Sequence, residues 1–218
     1  MVSRLIKGVL FDMDGLLLDT ERIALRCFQE SSTDLGFPLP IEILNQLVGR
    51  NSRDADVFLQ SCMGDAYPAS AVRLGFRQRY EQHLEQNGVD VKPGLGSLIE
   101  ALNRAQIPRM VATSTRREMA EWKLRRAGIA HYFSGITGGD EVARGKPAPD
   151  IFLLAAARLG VPPTDCLVLE DSAPGIQAAL SAGMQAILIP DIVSPEVGTL
   201  PSQVRVAATL DDVASWIV

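Results

Sequence analysis

The sequence is poor in cysteine and histidine and has no long apolar run. Its three cysteines, Cys27, Cys62 and Cys166, are widely spaced and form no CxxC pair. Neither a disulfide framework nor a cysteine zinc site is therefore indicated, and buried or half-buried thiols are expected. His83 and His131 have no partner His or Cys at ligand spacing and read as surface or packing residues. An excess of positive charge is also missing: 21 Lys and Arg stand against 26 Asp and Glu, for a net charge of -5. Such a balance gives no support for a nucleic-acid partner and favours a small soluble substrate. The apolar run in MVSRLIKGVLFDMDG is too short for a signal-peptide core or a membrane span, so a cytoplasmic protein without a membrane partner is expected.

What is present is enough for a globular core. With 218 residues, 47% of them hydrophobic, the chain can form one full domain and a sizeable insertion. Apolar runs rich in Val, Ile and Leu recur at 8–11, 110–113, 133–137, 166–169 and 186–189, most of them followed by helical periodicity. This alternation predicts an α/β fold, a Rossmann-like parallel sheet with helices on both faces. Between the Gly15 turn and Val91 the pattern changes. ERIALRCFQESSTDLG, PIEILNQLVG, SRDADVFLQSCMG and SAVRLGFRQRYEQHLEQNG all carry apolar residues at spacings of three and four. The expected organisation is a sheet domain over residues 1–18 and 91–218, with a helical domain inserted over 19–90 and hinges at the two junctions. The segment from Pro190 to Pro201 reads as a surface loop, and the helix from Glu118 to Arg126 as an exposed face of mixed charge. Trp122 and Trp216 are expected to cover core.

Polar residues gather at the strand ends. The first run closes in Phe11-Asp12-Met13-Asp14-Gly15, which puts two carboxylates two residues apart where a buried strand becomes a turn. The second closes in Val111-Ala112-Thr113-Ser114-Thr115 and the fourth in Leu169-Glu170-Asp171-Ser172. In an open parallel sheet ligands bind beyond the carboxyl ends of the strands. Each group also has an ordinary reading, the acids as solvated turn residues and the hydroxyls as helix caps. Their convergence, together with Lys146 in the GKPAPD turn, favours a site. Four gathered carboxylates would repel unless a cation joined them, and Mg²⁺ prefers oxygen ligands supplied by carboxylates and a substrate phosphate. Lys146 would add a second positive charge, while Thr113 and Ser114 would bind the remaining phosphate oxygens.

Over nearly its whole length the chain resembles the haloacid dehalogenase superfamily, whose four motifs occur in order: FDMDGLLLDT, VATST at 111–115, Lys146 in GKPAPDIF, and LEDSAPGIQAALSAGM. The resemblance implies that Asp12 is a nucleophile that carries a phosphoryl group, that Asp14 is the acid/base, and that Thr113 is the key hydroxyl of the second motif. It also implies Mg²⁺ held by a carboxylate oxygen of Asp12, the main-chain carbonyl of Asp14 and the carboxylate of Asp171, with Glu170 a ligand or a partner through water. The insertion matches the helical cap of the subgroup containing phosphoglycolate phosphatase, β-phosphoglucomutase and sugar- or nucleoside-monophosphate phosphatases, with FDMDGLLLDTER most similar to pseudouridine 5′-phosphatase and sugar-phosphatase members.

Arg50, in LVGRNSRDA, stands where some cap members turn a basic residue to the substrate, although a cap arginine is more commonly a solvated charge; Arg53, Arg77 and Arg79 are weaker candidates. Two departures narrow the chemistry. The mutases carry a histidine where this chain has Ala24, and no lysine lies between Lys7 and Lys92 to form the Schiff base of a cap phosphonatase. Retention of Asp14 disfavours dehalogenation. The expected activity is hydrolysis of a small phosphate monoester by a monomer or weak dimer. The alternatives are mutase-like transfer and a non-catalytic phospho-aspartate signalling module.

Overall fold

The computed structural model describes residues 6–48, 50, 52–192 and 200–217, without the side chains of 52 and 53. Six parallel strands are found among these residues: β1 (Gly8–Phe11), β2 (Arg109–Ala112), β3 (Ile136–Thr137), β4 (Cys166–Glu170), β5 (Gln185–Leu188) and β6 (Arg205–Val206), in the order β3-β2-β1-β4-β5-β6. The short β6 was not anticipated by the apolar runs, and β3 is confined to the end of the 133–137 run. All the registers are parallel, so every strand ends on the same edge of the sheet.

Strand alternation divides the core into two layers. Val9 and Phe11 pack with α5 (Leu95–Arg104), α6 (Arg117–Arg126) and α9 (Leu210–Ala214) on one face. Leu10 packs with α7 (Asp150–Leu159) and α8 (Ala173–Ser181) on the other. Phe11 and Phe152, each fully buried, anchor opposite layers, and burying such a side chain stabilises by about 1.5–3 kcal/mol.

Residues between β1 and α5 form α1 (Glu21–Asp34), α2 (Ile41–Asn45), α3 (Ser52–Met63) and α4 (Ala69–Asn87). α1 packs on α4, and Leu39, Leu44, Leu59, Tyr67 and Val72 make a small core separate from the sheet's. The chain enters and leaves this helical segment through paired backbone. Asp19 N–H donates to the Asp90 carbonyl (3.0 Å) and Lys92 N–H to the Leu17 carbonyl (2.9 Å).

Two expectations need correction. Cys62 is exposed, because it falls on the outer face of α3. Trp216 lies beyond α9 and is 40% exposed, covered on one side by the Arg205 guanidinium rather than covering core. The exposed, locally paired charges expected on α6 are present, with Arg125 against Glu121, but its Lys123 is buried. Trp122 packs beside Cys27, Tyr80 and Leu84, as expected. His83 lies on the surface against Arg26 and Asn87, and His131 lies against Tyr132 with the two rings tilted. Of the loop from Pro190 to Pro201, residues 193–199 lie outside the described residues.

Candidate active site

β1 is flanked by β2 and β4, so the strand order reverses beside it, and the carboxyl end of such a switch point is open to a ligand. Asp12 continues β1 by donating its N–H to the Leu169 carbonyl (3.0 Å), which directs its carboxylate to that edge between the ends of β2 and β4. The Lys146 ammonium donates to Asp12 Oδ1 and, at 2.6 Å, to Glu170 Oε1. Glu170 is fully buried, and its Oε2 accepts from the Ser172 N–H (2.9 Å) and Ser172 Oγ (2.8 Å). Ser172, not an acid, caps α8, its Oγ accepting from the Gly175 N–H at 3.2 Å.

Burial pushes the Asp12 carboxyl up to about 7, against the pull of Lys146. Asp171 is raised well above its ordinary value by burial, then by the charges of Glu170 and Asp12. Burial alone would lower Lys146, but Asp12 and Glu170 outweigh it and raise the ammonium above its ordinary value. Asp12, Glu170 and Asp171 can each place one oxygen within 4.8 Å of the others. Three buried acids thus share one ammonium, an oxygen-only donor set with an excess of negative charge, which fits a hard divalent cation.

Asp14 faces a different set of partners. Its Oδ1 accepts from Thr20 Oγ1 and Lys123 Nζ, and its Oδ2 from Thr115 Oγ1, each at 2.7 Å. Burial would raise this carboxyl; the Lys123 charge and the three donors outweigh it and hold it below its usual value. Thr20 occupies the N-cap position of α1 without capping it, because its hydroxyl is given to Asp14. Thr113 is buried, and its Oγ1 accepts from the Thr115 N–H (3.1 Å), which shapes the turn after β2. The hydroxyls of this turn do not cap α6, whose N-cap position is Arg116.

A cavity of about 670 Å³ lies between the strand ends and the inserted helices. Asp12, Asp14, Thr113, Ser114 and Asp171 line its floor, and Leu25, Phe28, Arg50, Arg73, Phe76 and Tyr80 its roof. The structure therefore brings Asp12, Lys146, Glu170 and Asp171 into one cluster, with Asp14, Thr113 and Ser114 on the same cavity. Arg50 lines the cavity from the far side, held by its Nε donating to the Gln46 carbonyl (2.7 Å) and by its guanidinium stacked 4.6 Å from the Phe58 ring centroid. Arg77 also lines the cavity, whereas Arg79 is occupied by Ser31 and Asp34, and the Arg53 side chain lies outside the described residues.

Sequence reasoning passed over Lys123, Tyr80, Arg73 and Glu21. Lys123 was legible in part: Ala120, Lys123, Leu124 and Ala127 make an i, i+3, i+4, i+7 stripe, which buries whatever lies on it. Arg73, paired with Asp56, carries no such signal. Glu21 lines the cavity, and burial, then the charge of Asp14, pushes its carboxyl up to about 8.

A doubly wound sheet whose acids, hydroxyls and buried lysine converge at the switch point defines an α/β enzyme with an acid-rich centre. A model described as haloacid dehalogenase-like hydrolase matches residues 6–183, and the chain belongs to that family. It is 38% identical over 198 residues to a probable pseudouridine-5'-phosphatase of Drosophila melanogaster, covering 87% of this chain and 84% of that one. It is 34% identical over 181 residues to the fructose-1-phosphate phosphatase YqaB of Escherichia coli, covering 83% and 94%. The crystal structure of CbbY from Rhodobacter sphaeroides in complex with phosphate matches with a TM-score of 0.81 at 28% identity, covering 96% of each chain. Among the described residues no helix is long and apolar enough to cross a membrane.

Proposed function

We propose that the protein is a Mg²⁺-dependent phosphatase acting on small phosphate monoesters, namely sugar, sugar-alcohol or nucleoside 5′-phosphates. One observation carries this reading: Asp12, a buried acid at the end of the central strand, lines the floor of a cavity roomy enough for a small metabolite, meets Lys146 behind that floor and gathers with Glu170 and Asp171. The names of the two curated relatives support the substrate class.

In this reading Asp12 attacks the phosphorus, forming an aspartyl-phosphate as the ester oxygen leaves. Asp14 protonates the departing alcohol, then takes a proton from the water that attacks the aspartyl-phosphate and frees Asp12. A covalent intermediate divides one difficult displacement into two, and a positioned acid/base contributes about 10²–10⁴-fold. Lys146 pulls Asp12 towards its ionised form against the burial that raises it, and stands beside the phosphoryl oxygens, while Thr113 and Ser114 supply donors on the other side. The carboxylates of Asp12 and Asp171 and the main-chain carbonyl of Asp14 would hold Mg²⁺, with Glu170 a ligand or a partner through water, and the ion would neutralise phosphate charge.

Residues 19–90 act as a cap over the site, and Arg50 is its candidate contact to substrate. The paired backbone at Asp19–Asp90 and Leu17–Lys92 supports two adjacent hinges. Ala24, which lines the cavity, offers no group to take a proton from a second sugar hydroxyl, which favours hydrolysis over mutase transfer.

The test is phosphate release by the purified protein, with and without excess Mg²⁺, from fructose 1-phosphate, hexitol phosphates, pseudouridine 5′-phosphate and phosphoglycolate. Metal-dependent release with one preferred ester is the expected result. Isomerised sugar phosphate, or a long-lived phosphoprotein without release, would overturn it.

A further inference from the structure

Lys123 reaches Asp14 across 109 positions of sequence, from a helix that contributes nothing else to the acid cluster. Lys123 is 3% exposed, and its ammonium lies 2.7 Å from Asp14 Oδ1 and 4.7 Å from the centroid of the Tyr80 ring, which belongs to the inserted helix α4. Tyr80 is itself buried and stacks on Phe76 with centroids 5.4 Å apart, and Phe76 meets Phe28 at 5.3 Å. α6 grips α4 at a second point, where Arg126 Nε donates to the Leu84 carbonyl (2.9 Å). Trp122 closes the contact against Cys27 and Leu84.

A carboxylate has about four lone-pair sites. On Asp14, Oδ1 accepts from both Thr20 and Lys123, while among the described residues Oδ2 accepts from Thr115 alone. Among the described residues this leaves one open position, on Oδ2, and Asp14 lines the cavity.

Resting on the phosphatase reading, we propose that Lys123 is a positioning residue for Asp14: seated on the Tyr80 ring of the inserted segment, it sets the orientation in which Asp14 meets the leaving oxygen. Lys123 itself touches no substrate. The contact ties the acid/base to α4, so the aromatic stack Phe28–Phe76–Tyr80 supports the chemistry from the roof of the cavity.

Two variants test this, Lys123→Met, which keeps length and removes charge, and Tyr80→Leu, which removes the ring should the first fail to fold. For each, kcat/KM is measured with fructose 1-phosphate, an alkyl ester whose leaving oxygen needs a proton, and with p-nitrophenyl phosphate, whose phenolate departs without one. The expected result is a loss with the alkyl ester exceeding the loss with the aryl ester by about tenfold or more, a share of the usual acid/base contribution. A merely structural role lowers both by the same factor, and equal losses would overturn the proposal. Crystal structures of the variants give a readout independent of turnover: Asp14 should leave its contacts with Thr20 and Thr115, and an unmoved carboxylate in both would also sink the idea. Failure of the unmodified protein to hydrolyse either ester would count against the phosphatase reading, while the crystal structures would still decide the role of Lys123.

Discussion

Gly175 lies so close to Glu170 that a Cβ built upon it would fall 1.7 Å from Oε1, the oxygen that accepts from Lys146. The first turn of α8 is thus pressed against a buried acid, and the absent side chain is what leaves room for it. Gly175→Ala must push Glu170 out of its place. Overpacking of this kind costs about 1–3 kcal/mol, and here it also breaks the contact with Lys146. Urea denaturation together with phosphate release measures both losses; wild-type values for the two would show that the acid has somewhere else to go.

Asp12→Asn keeps the size of the side chain and removes the carboxylate proposed to attack phosphorus. Turnover should vanish while the circular dichroism and urea midpoint stay near those of the unmodified protein. A variant that released phosphate at an ordinary rate would end the aspartyl-phosphate mechanism.

Replacing Lys146 by Met strands Asp12, Glu170 and Asp171 together without their ammonium. Breaking a buried ion pair by removing one partner costs about 3–5 kcal/mol, so the metal-free variant should be strongly destabilised. Mg²⁺ should recover part of that loss, and it should raise the midpoint of the unmodified protein as any ligand of the native state does. The comparison is thermal unfolding in a chelator and in excess Mg²⁺. No metal effect on either protein would argue that the acid cluster holds no ion.

Glu141 gives a dependence on pH away from the site. Its carboxylate accepts from Arg158 at 2.9 and 3.0 Å, from Arg117 at 3.1 Å and from the Gly138 N–H at 2.8 Å. The Arg158 hydrogen bonds above all pull it down to about 2, from an ordinary value of 4.5. A depressed folded-state value contributes stability above about pH 4.5 that is lost as the pH falls towards 2. Because the arginines are partly exposed, the contribution is about 1 kcal/mol. Glu141→Gln should therefore be less stable than the unmodified protein at neutral pH, and the gap should narrow steadily in acid. A gap independent of pH would mean that packing, not charge, holds this carboxylate.

Much of the architecture and of the acid cluster was legible because each depends on neighbours in sequence. An apolar run of four or five residues followed by helical spacing specifies a buried parallel strand locally, and β1, β2, β4 and β5 lie within a residue of their runs. Asp12, Thr113 and Asp171 stand directly after β1, β2 and β4, so a parallel sheet carries them to one edge whatever the detail of packing. β6 escaped notice because two residues, one of them Arg205, give no period to read.

The helical segment was readable as helices but not as a surface. Its residues acquire meaning only from the direction each helix faces, and nothing local distinguishes Arg50, which lines the cavity, from Arg79, which is spent on Ser31 and Asp34. Cys62 went wrong for the same reason, being a common core residue on a helix face that meets solvent.

By itself, then, the sequence determined the parallel α/β sheet, the inserted helices and the acids of the strand ends, all of them set by short-range pattern and by the shared direction of parallel strands. Only the tertiary structure decided that Lys146 stands between Asp12 and Glu170, and that Lys123 and Tyr80 close upon Asp14. Those contacts join segments far apart in the chain, and their distances are fixed by how helices pack on the sheet rather than by anything adjacent to the residues themselves.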